Sequence, residues 1–259
     1  MFRHLPILII LSVFAHTPKY CTESHDINFD GEIGIMNNYI WRGVNRSSNG
    51  NYHMSLGWQY ENWSGSFWAT YDTADDNYVT DLQSNWLEVD STFAYTWERE
   101  NGSSVQAGYI LYNFYDNFMN TQEVFARYNL NSSWNPSVTL YYDFDFNSGL
   151  YYTAEIEKSK VDRDWIYGFG VKLGYFSSFG NNFRDQKRIN GQIFQNPLSN
   201  QPLRTGIADL VPNLSLTRYL DEESSISFDL ATTLILDKDT YHQTAEDELH
   251  FGLSYRVQF

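Results

Sequence analysis

Carboxylates dominate the residues of this chain that could do chemistry. Glu32, Glu88, Asp90, Glu123, Asp143, Asp145, Glu155 and Asp229 recur along it, opposed by Arg42, Arg127, Lys172 and Arg256. Each falls on the polar half of a segment in which apolar and polar residues alternate, so together they would line one face of a sheet. Enclosed in a narrow channel, such a face attracts cations and repels anions. Some of these charges must then pair, because an isolated charge in a partly desolvated channel is costly. The plainer reading is a solvated acidic face with no transport role. Arg42 is singled out by Gly43 after it, which permits a tight turn or a close backbone approach. It is either a constriction charge or, the role we favour, a guanidinium holding several interior carboxylates together.

Other chemistries find less support. His53 and His250 share the parity of the carboxylates, and Ser47 and Ser48 precede His53. A serine nucleophile needs a base in hydrogen-bond contact, and a lone channel histidine is more often a satisfied polar group. No spaced ligand cluster suggests a metal, and no cofactor is expected. One cysteine, Cys21, leaves no intramolecular disulfide. Lys and Arg total 17 against 32 Asp and Glu, a net charge of −15, which repels nucleic acid.

Strands must position these residues. Met54, Leu56 and Trp58 alternate with Ser55, Gly57 and Gln59, and Phe251, Leu253 and Tyr255 alternate with Gly252, Ser254 and Arg256. Segments of this kind lie near 32–42, 51–61, 63–73, 85–99, 103–115, 121–132, 136–146, 150–160, 164–176, 206–219, 224–236 and 247–259. Most exceed the roughly five or six residues of a soluble strand and match the roughly 9–11 that cross a bilayer at a tilt. Short turns at 61–63, 101–103, 131–135, 159–163 and 221–224 alternate with mostly longer links at 43–50, 74–84, 177–205 and 237–246, the short exceptions being 116–120 and 147–149. That rhythm, with an even strand count of about twelve, predicts an all-β fold: a transmembrane up-and-down antiparallel β-barrel with short turns and both termini in the periplasm. Trp63, Trp97, Trp134, Trp165 and Tyr219 sit one at each short turn, as an interfacial aromatic girdle would. The final residue, Phe259, resembles the C-terminal signal read by the outer-membrane barrel assembly machinery. A soluble β-sandwich also alternates, but does not predict these features together.

The N-terminus carries an address. Met1-Phe2-Arg3-His4 precedes an apolar run over Leu5 to Ala15, too short for the roughly 20 residues of a spanning helix. It reads as a secretory signal peptide over 1–24, leaving 25–259 as the barrel. Pro18-Lys19-Tyr20 before Cys21 argues against a lipoprotein signal. The link 177–205 is basic, with Arg184, Lys187, Arg188 and Arg204 against Asp185. A link of that length is often functional; it either folds inward as a constriction loop, binds phosphates of lipopolysaccharide, or is a solvated loop. Gly168, Gly170 and Gly174 on the polar parity suggest interior room, whereas Tyr112, Phe114 and Tyr141 argue for partial filling.

Asn38-Tyr39-Ile40-Trp41-Arg42-Gly43-Val44 resembles the opening signature of the TorF-type porin family of bacterial outer-membrane β-barrels. The likeness continues through Gly57-Trp58-Gln59-Tyr60-Glu61, Ser64-Gly65-Ser66-Phe67-Trp68-Ala69-Thr70, Glu88-Val89-Asp90, Gly108-Tyr109-Ile110-Leu111-Tyr112 and Thr121-Gln122-Glu123-Val124, and weakens beyond. It implies an outer-membrane barrel with a pore and supplies no catalytic residues. Arg46-Ser47-Ser48-Asn49-Gly50 also bears a faint likeness to the His-x-Ser-Asn-Gly of outer-membrane phospholipases, without its histidine. The expectation is a non-enzymatic channel, monomeric or trimeric, in the bacterial outer membrane. It would pass small hydrophilic solutes with weak cation preference, among lipids and lipopolysaccharide. The alternatives are a closed barrel serving as surface scaffold or adhesin, and a lipid hydrolase.

Overall fold

Apolar and polar residues alternate along the strands because successive side chains of a strand point to opposite faces of the sheet. A computed structural model describes residues 26–47, 50–73, 86–114, 120–145, 148–177, 186–189, 192–195, 205–240 and 246–259. The expected signal segment 1–24 lies outside them. The wall strands are β1 (Asn28–Met36), β4 (Asn51–Tyr60), β5 (Trp63–Asp72), β6 (Trp86–Glu98), β7 (Ser104–Phe114), β8 (Thr121–Asn129), β9 (Ser137–Asp143), β10 (Gly149–Asp162), β11 (Trp165–Ser177), β14 (Gly206–Tyr219), β15 (Ser224–Ile235) and β16 (Glu248–Gln258). They close into a 12-strand antiparallel barrel, and no helix occurs among the described residues. Closure leaves no unpaired edge, which is what lets a sheet stand in an apolar medium.

Outside, Ile33, Ile35, Met54, Leu56, Phe67, Phe93, Leu214, Phe251 and Leu253 form an exposed apolar surface. Inside, Glu32, His53, Thr70, Glu88, Glu123, Thr139 and Asp209 are buried. The seam joins β1 to β16, with Asp30 opposite Gln258 and Met36 opposite Gly252. Phe29 and Phe259 close its end through paired backbone hydrogen bonds of 3.0 Å and rings stacked 6.3 Å apart. The start of β1 and the end of β16 therefore share one end of the barrel with the short turns. At that end Trp63 packs on Phe93 and Tyr95 at 5.0 and 4.6 Å. Arg99, Lys158 and Arg218 lie over Tyr128, Trp134 and Trp165 at 5.6, 4.9 and 5.4 Å.

Three expectations change. The turn placed at 159–163 is tighter: β10 continues to Asp162, and Arg163-Asp164 makes the reversal with Arg163 left-handed at φ 54°. The strand placed at 136–146 ends at Asp143. The first strand, placed at 32–42, runs from Asn28 to Met36 instead. Beyond it the chain leaves the wall and forms β2 (Tyr39–Trp41) and β3 (Val44–Ser47). Two further strands, β12 (Gln186–Ile189) and β13 (Gln192–Gln195), complete a second sheet in the order β13-β12-β3-β2.

Candidate functional site: a hairpin across the barrel

Trp41 and Val44 pair across a two-residue turn in which Arg42 (φ 49°) and Gly43 (φ 79°) are both left-handed. This is the twist-matched geometry of a tight β-hairpin. Glycine adopts it freely, whereas an arginine does so only when its surroundings hold it. Tyr39, Arg42, Val44, Asn45, Arg46 and Ser47 are all buried, so the hairpin lies within the barrel rather than above it.

Its donors meet carboxylates on the wall. The Tyr39 hydroxyl donates to Glu88 of β6 at 2.6 Å. Ser47 donates to Asp72 of β5 at 2.8 Å. Asn38 and Asn45 donate to the two oxygens of Glu248 on β16, at 3.2 and 2.7 Å. Val44 packs among Tyr151, Phe176, Ala208 and Ile235, a small apolar core inside the ring.

At the tip, Arg42 makes a bidentate pair with Glu123 of β8, both contacts 2.7 Å. Its guanidinium lies 4.9 Å from the ring of Tyr141 on β9, 4.5 Å from Tyr151 on β10, and 4.6 Å from its neighbour Trp41. Tyr112 of β7 donates to the same Glu123 at 3.0 Å. Strands β8 to β10 stand opposite β1 and β4 in the closed order. A link emerging between β1 and β4 thus crosses the whole interior to reach them.

The remaining sequence-derived residues fall as follows. Arg42 is on the hairpin tip and not on the wall strand where parity put it. Glu88 and Glu123 are buried on the inward face and engaged by the hairpin. Asp90, on β6, stands opposite Tyr112. Arg127 bonds Asn129, Ser137 and Glu155 at 2.8, 3.0 and 3.3 Å, and Lys172 sits across from Glu155 in register. Arg256 bonds Asp30 at 2.7 Å, and Asp229 lies opposite Gly252 on the same face. Asp143 is buried but committed to structure. It accepts from Thr121 at 2.9 and 2.8 Å and from the amides of Asp145 and Ser148. Asp145 does not line the interior: β9 has ended, and its exposed side chain accepts from Gln122 at 3.0 Å.

Of the basic link, Lys187 and Arg188 fall on β12, whose backbone pairs with β3 in parallel at Arg188 and Ser47. Arg184 and Arg204 lie outside the described residues. The histidines are engaged as polar pairs, His53 with Glu32 at 2.9 Å and His250 with Thr233 at 3.2 Å. Gly174 does not leave open room. A Cβ there would collide with the Asp209 carboxylate and the Tyr151 hydroxyl. The residues that sequence reasoning missed are Tyr39, Asp72, Tyr151 and Glu248. The available signal was Arg42-Gly43, a plausible two-residue turn shortly after the break at Asn37-Asn38.

No protein-family model matches the chain, and no curated protein matches it in sequence. Solved structures do resemble it in fold. An outer-membrane channel of Pseudomonas putida F1, described as COG4313, aligns over 94% of this chain and 99% of its own at 10% identity and TM-score 0.56. The KdgM porin aligns over 90% and 98% at 13% identity and TM-score 0.50, and has also been solved in complex with disordered oligogalacturonate. The NanC porin aligns over 90% and 99% at 8% identity and TM-score 0.51. The fold is that of small outer-membrane channels.

Proposed function

We propose that this protein is an outer-membrane, porin-like channel. It passes small hydrophilic solutes with weak cation preference and is narrowed by the hairpin 39–47. The observation that carries the reading is a closed barrel with an apolar outer face and an acid-rich inner one, crossed by a hairpin bound to wall carboxylates. Selection follows from width and field, without chemistry: carboxylates in a confined, weakly screened space raise the local concentration of cations and disfavour anions. A polyanion such as the oligogalacturonate bound by KdgM meets an unfavourable interior here. The interior residues assigned to selectivity are Glu88, Asp90, Glu123, Arg127, Glu155, Lys172, Asp229 and Arg256, with Arg42 at the constriction. The basic link carrying Arg184, Lys187, Arg188 and Arg204 helps narrow the mouth.

The same reading places both termini and the short turns in the periplasm. The aromatic and cationic residues there would stand at the lipid headgroups, and Phe259 would engage the barrel assembly machinery. Residues 1–24 serve as the export signal. The signature Tyr39 to Gly43 favours membership of the TorF-type porins.

Planar-bilayer recordings of protein purified from a Gram-negative host's membranes, under a salt gradient, test the proposal. Discrete steps with a reversal potential on the cation side are expected. Anion selectivity would sink the acidic-interior argument while leaving the barrel. A folded protein without steps would favour the second reading, a closed scaffold, which the many anchors of the hairpin support.

A further inference from the structure

The contact that fixes the hairpin tip has the form of a ligand in a binding site. Arg42 presents a guanidinium at the end of an inserted arm. Apart from Trp41, the described groups around it belong to the wall: Glu123 across the fork, Tyr141 and Tyr151 over the faces, and Tyr112 orienting the acid. A carboxylate bound through two parallel N–H donors discriminates a planar fork from a point charge. Aromatic faces add cation–π attraction that strengthens as water is excluded. Glu123 is fully buried, and a buried carboxylate without a cation is strongly disfavoured. The wall half of the site therefore demands a cation of this shape, whichever molecule brings it.

We propose that Glu123, Tyr112, Tyr141 and Tyr151 form a binding site for solutes bearing a guanidinium group, occupied in this structure by the protein's own Arg42. The proposal rests on the channel reading above and names the class of cation that the channel holds most strongly. A guanidinium solute competes with the hairpin tip for the same acid and rings. Simple ammonium ions, lacking the fork, compete poorly.

The test uses the full chain purified in detergent, with folding verified by heat-modifiable gel mobility. Arg42→Met keeps the aliphatic stem and empties the site of its charge. Titration calorimetry with butylguanidinium should give binding to Arg42→Met at least about tenfold tighter than to the unaltered protein, and about tenfold tighter than butylammonium. Adding Glu123→Gln should abolish it. Equal affinity in the folded Arg42→Met and unaltered proteins, or binding indifferent to Glu123→Gln, would overturn the proposal. Should Arg42→Met fail to fold, Arg42→Lys retains a charge without the fork and must still bind butylguanidinium more tightly than the unaltered protein. Bilayer recordings separate the two readings. Conductance without butylguanidinium binding overturns this site and leaves the channel, whereas binding without conductance upholds the site and overturns the channel.

Discussion

Tyr39 and Glu88 meet hydroxyl to carboxylate at 2.6 Å inside the barrel, one on the crossing hairpin and the other on the wall. Both are buried, so water does not readily take the place of either partner when the other is removed. Tyr39→Phe leaves a buried acceptor without this donor and should cost about 1–3 kcal/mol. Thermal unfolding in detergent should show a lower midpoint, and single-channel records should become noisier as the hairpin loosens. An unchanged midpoint and quiet records would mean that the hairpin is held elsewhere.

Arg42 and Glu123 should behave as one unit. Removing either partner alone leaves a buried charge, with a cost of roughly 3–5 kcal/mol. Arg42→Met combined with Glu123→Gln removes both charges and should cost less than the sum of the single changes. A double-mutant cycle on denaturation midpoints measures the difference, and strict additivity would deny the coupling.

Gly174→Ala should be destabilising although it lies on a wall strand. The added methyl meets Asp209 and the Tyr151 hydroxyl, which donates to Asp209 at 3.3 Å. Overpacking of this kind typically costs about 1–3 kcal/mol. Because Tyr151 also covers Arg42, the substitution should perturb the hairpin as well, read as a shift in conductance. A neutral outcome would mean that Tyr151 has another place to go.

Asp221 should titrate below an ordinary aspartate. Its carboxylate accepts from the Ser224 hydroxyl at 2.7 Å and from the amides of Glu223 and Ser224 at 2.9 and 2.7 Å. These bonds favour the charged form, the Ser224 hydroxyl foremost, and hold the pKa down. The contribution to stability is thus complete above the usual aspartate pKa and is lost as pH falls through the lowered value. Carbon-detected NMR titration of the turn reads it directly. A midpoint at or above the ordinary value would contradict these bonds.

Much of this architecture was legible from alternation alone, and the failures share one cause. Period two reports that a segment is extended and two-faced, not which sheet it joins. Tyr39 to Arg42 keeps the extended pattern of the strand before it, so on sequence alone the first wall strand runs on past Met36 to residue 42. Only Asn37-Asn38 and Arg42-Gly43 mark where the chain leaves the wall and where it reverses. Asp145 was misassigned for the same reason: parity continues on paper after hydrogen bonding has stopped at Asp143. Glu88 and Glu123 were found because buried acids fall on the polar parity, but their partners were not. Tyr39 and Arg42 reach them over separations of 49 and 81 residues, a distance at which local pattern carries no information.

The hairpin is joined to β1 through Asn37 and Asn38 and to β4 through residues 48–50. Arg42 is consequently a tethered competitor whose effective concentration at Glu123 is set by these short joints together with the hairpin's bonds to Glu88, Asp72 and Glu248, on the order of millimolar or above. Soluble cations must match that figure to gain occupancy. The joints therefore act as a threshold, and lengthening either one by a few glycines would lower it without altering a single contact in the cage.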